Sequence, residues 1–344
     1  MKALVKTQKG KGFLELRDIP EPKPGPRDVL IRVKAAGICG TDLHIRDDGF
    51  PNNPPVTIGH EFSGQIVEVG SDVTGYKAGD RVVAEPHRGG CGVCRYCLTG
   101  QVEVCRTKKA IGYRVDGAFA PFLTLPVTSL HRIPEGVSFE EAALCEPLAV
   151  AVKAVLERSR VEPLDFVVVL GCGPVGLLAA AAAKAAGARA VLVSGTARDE
   201  KLRLPAARAM GIDYTVNVQA EDLGAKVLEL TGGQGADLVV EASGAEPAIR
   251  QAMDIVKIDG RVTGLGLTGK ETIAINYDTA VKKAVHLDWS MSSSWTSWEK
   301  AVSLLATGKV NVKPLISGSY PLDDWESSFE KIETQEAIKI LLVP

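Results

Sequence analysis

The stretch "VVVLGCGPVGLLAA", residues 167–180, contains the feature that decides the fold. Gly171, Gly173 and Gly176 have the spacing G-x-G-x-x-G, after a β-branched apolar run and before an alanine-rich segment. A strand, a glycine-rich turn and a helix in this order predict a dinucleotide-binding turn, in which Pro174 and Val175 complete the loop. The first glycine permits the tight bend, the second lets a pyrophosphate approach the backbone, and the third lets the helix pack on the strand. The alternative is an ordinary glycine-rich turn of an α/β protein.

The character of the sequence changes near residue 150. Before it, short β segments are separated by Gly and Pro turns, whereas strands and helices alternate over residues 151–289. Such alternation predicts a parallel sheet with right-handed crossovers. The last helix and strand look like a return to the first domain. We therefore predict an α/β fold with a β-rich domain, residues 1–150 and 290–344, and a doubly wound Rossmann domain, residues 151–289.

The composition is that of an ordinary globular protein. The 344 residues are 45% hydrophobic and 24% charged, with a net charge of −2, so there is no basic excess for nucleic acid. Residues 1–13 have no apolar segment typical of a secretion signal. The apolar run over residues 166–183 has the length of a membrane span, but glycines and a proline interrupt it. We expect a soluble, cytoplasmic protein without a nucleic-acid or membrane partner.

Four of the seven cysteines form a cluster with the spacing C-x2-C-x2-C-x7-C. Cysteines of an unsecreted chain remain reduced, and four thiolates in one short loop match a closed structural zinc site. An iron–sulfur site would need its fourth cysteine closer and followed by proline. A nucleic-acid-binding zinc ribbon is disfavoured by the near-neutral charge. The four residues are Cys91, Cys94, Cys97 and Cys105.

A second set of metal-binding residue types is dispersed along the chain. Cys39 lies in "GICGTDLH", His60 and Glu61 in "IGHEFSG", and Glu146 in "LCEPLAV". A catalytic zinc uses protein ligands of these types and keeps one position open for water or substrate. Each residue alone is more often structural than ligating, but the set is chemically coherent.

These motifs together resemble those of the zinc-dependent medium-chain alcohol dehydrogenases. "GHEFSGQIVEVG", "CGTDLH", the four-cysteine loop, "EEAALCEPLAV" and "GCGPVG" carry the resemblance over nearly the whole chain. The chain is most similar to the polyol (sorbitol-type) and threonine dehydrogenase branch, because Glu146 stands where classical alcohol dehydrogenases have a cysteine. The resemblance implies a GroES-like catalytic domain, an active site in the cleft beside the Rossmann domain, two zinc ions, NAD or NADP, and a homotetramer, with a dimer as the alternative.

The resemblance also implies roles for individual residues around the catalytic zinc. Cys39 and His60 match direct ligands, while Glu61 and Glu146 match carboxylates that bind the zinc directly or through water. Asp42 matches a residue that orients the histidine ligand.

Three further residues match functional positions of the family. Thr41 matches the hydroxyl that accepts the substrate proton, and His44 the outer end of that relay. Lys339 matches a cation near the cofactor phosphates. Zinc would polarise the oxygen of a sugar alcohol or other secondary alcohol, and the nicotinamide would take the hydride.

The cofactor preference depends on "AVLVSGTARDEK", residues 190–201. An NAD site has an acid about 20 residues after the glycines, at the end of the second strand, and this chain has none there. The side chains available to a 2′-phosphate include an arginine, which suits such a group. Alternatively, Asp199 or Glu200 folds back to the ribose. We favour NADP slightly over NAD, bound by Ser194, Gly195, Thr196 and Arg198.

Two departures from the sorbitol-type pattern argue against sorbitol dehydrogenase itself. One is Gly195, and the other is "LISGSYPL" near the C-terminus, where those enzymes tend to carry His-Arg. L-threonine 3-dehydrogenase is the alternative activity, although groups for an amino acid are not evident. A non-catalytic relative is disfavoured because Cys39, Thr41, His60 and Glu146 are all present. The remaining cysteines and histidines are interpreted as core or surface residues: Cys145, Cys172, His87, His131 and His286.

Overall fold

The computed structural model describes residues 1–344 and divides into two compact units. The first unit comprises Met1–Glu146, Ser293–Ala306 and Ile316–Pro344, and the second comprises Pro147–Ser292 and Thr307–Leu315.

Most of the regular elements in the N-terminal part of the first unit are strands. Its strands are β1 (Lys2–Lys6), β2 (Leu14–Asp18), β3 (Asp28–Gly37), β4 (Val56–Thr57), β5 (Glu61–Val69), β6 (Arg81–Ala84), β7 (Phe122–Pro126) and β8 (Leu130–Arg132). Its helices are α1 (Gly40–Arg46), α2 (Arg95–Leu98) and α3 (Phe139–Ala143).

Helices and strands alternate along the rest of the chain. The middle part contains α4 (Cys145–Val152), β9 (Phe166–Leu170), α5 (Pro174–Ala185), β10 (Ala190–Gly195), α6 (Arg203–Ala209), β11 (Tyr214–Asn217), α7 (Leu223–Leu230), β12 (Ala236–Glu241), α8 (Glu246–Ile255), β13 (Val256–Gly264), α9 (Tyr277–Lys282) and β14 (His286–Trp289). The C-terminal part contains α10 (Trp295–Ala306), β15 (Ile316–Pro321), α11 (Trp325–Glu333) and β16 (Lys339–Val343).

The main sheet of the first unit has the order β15-β16-β3-β5-β6-β8, and β7 also pairs with β3. All of its pairings are antiparallel except that of β15 with β16. A small sheet β2-β1-β4 completes the unit. The apolar faces enclose one core that includes Ile31, Phe62, Phe119 and Phe329. The sequence at the C-terminus therefore does return to the first unit, as β16 beside β3.

The second unit is built on six parallel strands in the order β11-β10-β9-β12-β13-β14. Counted from β9, this is 3-2-1-4-5-6, the order of dinucleotide-binding sheets. The long apolar run over residues 166–183 separates into β9, which is buried along its whole length, and α5. No helix has the length and apolar character needed to span a membrane.

One segment differs from the predicted domain boundary. Thr307–Leu315 clusters with the second unit, not with the first. The reason is local packing, because the short 3₁₀ helix Lys313–Leu315 contacts α6.

Candidate metal and nucleotide sites

Three neighbouring strands bring one set of polar residues together in the first unit. Strand β3 ends at Gly37, which pairs with Glu61 at the start of β5 on one side and with β16 on the other. Cys39 follows β3 directly, and Lys339 begins β16. Gly37 is required here, because a β-carbon on it would lie 2.5 Å from Glu61 Oε2. The sheet register therefore determines that Cys39, Glu61 and Lys339 meet.

Cys39, His60 and Glu61 form a donor group that suits a metal ion. One ligand atom from each lies within 4.8 Å of the others, and His60 and Glu61 are buried. A thiolate, an imidazole and a carboxylate are ligands that zinc accepts, and three of them leave a fourth position open. These are three of the predicted catalytic-zinc residues.

Asp42, which lies in helix α1, positions two residues of this donor group. Its Oδ2 accepts a hydrogen bond of 2.9 Å from the backbone N–H of Cys39, and its Oδ1 lies 3.4 Å from His60 Nδ1. Burial opposes a charge on His60, but the neighbouring Asp42 and Cys39 outweigh it and raise the pKa of His60 well above its usual value. His60 Nδ1 and Asp42 Oδ1 are both buried without a hydrogen-bond partner. A metal at the other ring nitrogen, with Nδ1–H directed to Asp42, would satisfy both atoms.

The variant Asp42→Asn is expected to weaken zinc binding by about 10- to 100-fold, because the carboxylate that orients His60 loses its charge. Competition with a chromophoric chelator measures the affinity. Asp47→Asn at the end of the same helix, where the carboxylate pairs with Arg46, is the matched control and should bind zinc normally. Equal zinc affinity in Asp42→Asn and the wild type would contradict the role of Asp42.

Lys339 neutralises the carboxylate of the donor group. Its Nζ lies 2.6 Å from Glu61 Oε2 and donates a 2.9 Å hydrogen bond to the carbonyl of Ile38. Only 2% of Lys339 is exposed; burial opposes its charge, but Glu61 and Cys39 raise the pKa of Lys339 above its usual value. A carboxylate as deeply buried as Glu61 requires a cation, and Lys339 supplies it. The predicted place of Lys339 near cofactor phosphates stays a prediction.

Glu146 lies near this donor group but is not a member of it. It stands in the first turn of α4 and is 9% exposed. Burial, together with the negative charge of Glu61, raises the pKa of Glu146 to about 7. A carboxyl poised near neutrality can exchange a proton or become a ligand as its surroundings change.

The raised pKa of Glu146 predicts an unusual pH dependence for the zinc-depleted protein. In the unfolded chain Glu146 ionises near 4.5, but in the folded chain near 7, so between these values the folded state binds the extra proton. Stability should therefore fall as pH rises through this window, by about 3 kcal/mol in all. Urea unfolding at pH 5.0 and 6.0 measures the slope, because the change linked to His60 begins only near the unfolded histidine pKa of 6.5. Glu146→Gln should flatten the slope, and an identical slope in that variant would refute the assignment.

Helix α1 also carries the predicted proton relay. Thr41 is half-buried in its first turn, and His44 is exposed one turn later on the same side.

An aromatic pair not identified from the sequence lies in this unit, with the rings of Phe50 and Tyr113 5.2 Å apart, edge to face. Burial raises the pKa of Tyr113, and His60 is among the charges that act on it. Loops bring these rings together, and no motif marks them.

The four clustered cysteines form a second donor group, with all sulfurs within 4.8 Å. The backbone N–H of Cys94 bonds to the sulfur of Cys91, and such bonds stabilise thiolates. Backbone donors at Cys91 and Thr107 lower the pKa of Cys105 to about 6. A β-carbon on Gly90 would lie 2.6 Å from Cys97 Sγ and 3.1 Å from Cys105 Sγ, so the group closes around a glycine. Four sulfurs at this separation fit a tetrahedral zinc with no open position.

The glycine-rich turn of the second unit has the geometry that its spacing predicts. Gly171 has φ +102°, and a β-carbon there would lie 2.9 Å from Ser243 Cβ. A β-carbon on Gly176 would lie 2.1 Å from the carbonyl oxygen of Gly171, whereas one on Gly173 would meet nothing within 4 Å. Open space at Gly173, before the N-terminus of the twelve-residue helix α5, fits a pyrophosphate on free backbone N–H groups. Pro174 occupies the first helical position, with Val175 beside it.

The end of β10 itself carries no acidic side chain. Ser194 and Gly195 are buried, Thr196 is half-buried and Arg198 is exposed. Asp199 Oδ2 accepts hydrogen bonds of 2.8 Å from both N–H and Oγ1 of Thr196. Glu200 accepts one of 2.7 Å from Asn217. Both acids that the sequence leaves as ribose ligands are therefore bonded within the protein.

The remaining cysteines and histidines belong to neither donor group. Cys145 and Cys172 are buried thiols, and His286 is exposed beside Asp259. His87 and His131 are buried in the first unit on either side of the Glu85 carboxylate.

Known proteins resemble this chain over its full length. The profile "Alcohol dehydrogenase GroES-like domain" matches residues 25–135, and "Zinc-binding dehydrogenase" matches residues 174–307. The sorbitol dehydrogenase of Halalkalibacterium halodurans is 42% identical, covering 100% of this chain and 99% of that protein. The chain belongs to the zinc-dependent medium-chain alcohol dehydrogenase family.

Two other members of this family are similar over the same range. The L-threonine 3-dehydrogenase of Pyrococcus horikoshii is 38% identical and covers 100% of this chain and 98% of its own. The crystal structure of a zinc-binding dehydrogenase from Sinorhizobium meliloti 1021, bound to NADP, superposes with a TM-score of 0.92 at 32% identity, covering 100% and 99% of the two chains. The predicted family and fold class, a GroES-like domain with a Rossmann-type parallel sheet, are confirmed, and the chain is a zinc- and NAD(P)-dependent oxidoreductase.

Proposed function

We propose that this chain oxidises a secondary hydroxyl of a sugar alcohol to a ketone, with NADP favoured over NAD. The observation that carries the proposal is the group of Cys39, His60 and Glu61, whose three donors converge and would leave one position of a bound metal for a substrate oxygen. Glu146 nearby, and the 42% identity to a sorbitol dehydrogenase, favour a polyol over a simple alcohol.

One zinc ion at each of the two donor groups is the second part of the proposal. The four-cysteine group has the closed donor set of a structural ion, and the Cys39, His60 and Glu61 group the open set of a catalytic one. A zinc ion at the open group would polarise the alcohol oxygen and lower its pKa.

The residues of helix α1 move the proton in this mechanism. Thr41 accepts the hydroxyl proton of the substrate, and His44, exposed at the outer end of the helix, passes it to solvent. A nicotinamide cofactor held at the glycine-rich turn would supply the acceptor for the hydride that leaves the alcohol carbon. Asp42 keeps His60 oriented, while Lys339 keeps Glu61 charged and fixed.

The preference for NADP follows from the groups at the end of β10. Thr196 and Arg198 stand there with no acid at the strand end itself, where a carboxylate would repel a 2′-phosphate; Asp199 is bonded to Thr196, and Glu200 accepts a hydrogen bond from Asn217. Arg198 supplies the cation, and Ser194, Gly195 and Thr196 line the turn.

Steady-state kinetics of the zinc-loaded protein test the proposed activity. The panel contains D-sorbitol, xylitol, D-arabitol and L-threonine, each with NAD and NADP, and kcat/KM is compared. Cys39→Ser, which removes one ligand of the open donor group, is the control and should abolish turnover. A polyol as best substrate supports the proposal. L-threonine as best substrate favours threonine 3-dehydrogenase, the activity of a 38% identical relative. No turnover with any pair would favour a non-catalytic member of the family.

Arg198→Ala tests the cofactor part separately. Because the guanidinium is exposed and would face the 2′-phosphate, its loss should weaken NADPH binding about tenfold and leave NADH binding unchanged. Fluorescence titration of both reduced cofactors gives the two Kd values. Arg208→Ala, which removes an exposed arginine bonded to Thr215, is the matched control. Equal loss for both cofactors would show that Arg198 does not read the phosphate.

We also propose that the protein is a homotetramer and that it is located in the cytoplasm. Sedimentation equilibrium of the purified protein gives its oligomeric state, with a dimer as the alternative.

A further inference from the structure

The end of strand β10 has no room for a side chain at residue 195. A β-carbon on Gly195 would lie 2.7 Å from Cys172 Sγ, and 3.1 Å from both Asp199 Cβ and Leu204 Cδ2. The interior is close-packed, so any residue larger than glycine requires these neighbours to move. The shortest contact is to Cys172, which is 2% exposed and has little space to turn away.

Cys172 comes from a different part of the nucleotide site. The glycine-rich turn follows β9 directly, and Cys172 is the residue between its first two glycines. Strand β10 pairs with β9 in parallel, with Ser194 opposite Leu170, so the residues that follow each strand lie side by side. The register of the sheet therefore places the Cys172 thiol against Gly195.

The same thiol and the acid nearest to the strand end lie on the space that a side chain at residue 195 would need. The Asp199 carboxylate accepts hydrogen bonds from Thr196 and, at 3.2 Å, from Arg203. Burial, together with the negative charge of Asp199, raises the pKa of Cys172 to about 12, so the thiol keeps its proton. With these partners Asp199 is held inward and is only 7% exposed.

We infer that Cys172 is a specificity-determining residue: its thiol excludes an acidic side chain from residue 195. This inference rests on the proposed cofactor site. An acid at the end of the second strand is what binds the ribose hydroxyls of NAD and repels the 2′-phosphate of NADP. Cys172 acts through residue 195 and is a positioning residue, not a contact to the phosphate.

The inference makes the effect of an acid at residue 195 dependent on residue 172. Gly195→Asp, Cys172→Ala and the double variant Cys172→Ala/Gly195→Asp form the test series. Ala197→Asp is the matched control, because it adds the same charge at an exposed residue two positions away. Melting temperature and the Kd values of NADH and NADPH are measured for each zinc-loaded protein. Melting temperature reports the steric effect, and the ratio of the two Kd values reports specificity.

Gly195→Asp alone should melt about 5 °C below Ala197→Asp and bind both cofactors more weakly, since the turn must distort. Removing the thiol should restore most of the melting temperature. The double variant should then shift the ratio of Kd values toward NADH by about tenfold relative to Cys172→Ala. If Gly195→Asp does not fold, a soluble double variant with a cooperative melt supports the same conclusion.

Three results would overturn the inference. Gly195→Asp could be as stable as Ala197→Asp, the double variant could fail to recover stability, or it could recover stability without a change in the Kd ratio. A wild-type preference for NADH would refute the proposed use of NADP, but the comparison of melting temperatures would still decide whether Cys172 excludes a side chain at residue 195. The two failures are therefore distinguishable.

Discussion

Cys105→Ser is expected to release the zinc of the four-cysteine group and to lower the stability of the protein by about 4 kcal/mol. Cys105 is the buried member of the group, and its sulfur is the one whose pKa the neighbouring backbone donors lower to about 6. Without it, three sulfurs in a mostly exposed loop have no fourth ligand to close the tetrahedron. Zinc content by atomic emission and the thermal melt measure the effect, and one zinc per chain with a melting temperature about 10 °C lower is the expected result.

Gly90→Ala is a second variant that should release the zinc of the four-cysteine group. A β-carbon there would lie 2.6 Å from Cys97 Sγ, so the sulfurs could not close around a metal although all four remain. Gly49→Ala, where the nearest atom to a β-carbon is 3.7 Å away, is the matched glycine control and should keep both ions. If Cys105→Ser retains two zinc ions and melts normally, the cysteine loop is not a structural zinc site.

Lys339→Met is expected to destabilise the protein by about 3–5 kcal/mol, because it leaves the buried carboxylate of Glu61 without its cation. The side chains of Lys339 and Glu61 are 3% and 1% exposed, so water cannot replace the lost partner. Urea unfolding of the zinc-depleted protein measures the loss, because a bound zinc ion would itself offset the charge of Glu61. Replacing both partners, as Glu61→Gln/Lys339→Met, should recover part of it, since the unpaired charge is then gone.

A second lysine–carboxylate pair provides the control for Lys339→Met. Lys2 lies 2.8 Å from Asp323 Oδ1, a distance similar to that of the buried pair, but both of its side chains are more than half exposed. Water and salt screen such a pair, so Lys2→Met should leave the free energy of unfolding unchanged within error. Equal effects of Lys2→Met and Lys339→Met would show that burial does not set the importance of the Lys339 pair.

The fold and the two donor groups could be predicted in part from local spacing and in part from the family resemblance. The glycine spacing after an apolar run requires one turn geometry, and the structure has it at Gly171, Gly173 and Gly176. Four cysteines within fifteen residues must lie close together whatever the rest of the chain does, and the structure brings their sulfurs within 4.8 Å. The family resemblance of the dispersed motifs pointed to Cys39, His60 and Glu61, which do converge.

The contacts that control these groups were not predictable, because they join residues distant in sequence. Lys339 is 278 positions from Glu61, and only the pairing of β16 with β3 and of β3 with β5 brings them together. Sequence alone left Asp199 free to face a ribose, whereas in the structure its carboxylate is bonded to Thr196 and Arg203.

The sequence by itself thus determined which chemical groups are present, namely the glycine-rich turn and the two sets of metal donors. It also determined that no acid stands at the end of β10. Only the tertiary structure decided which buried charge neutralises which, and why residue 195 is a glycine. The physical reason is that local spacing fixes backbone geometry, whereas burial, pairing of charges and steric exclusion depend on the register of strands that the chain brings together from far apart.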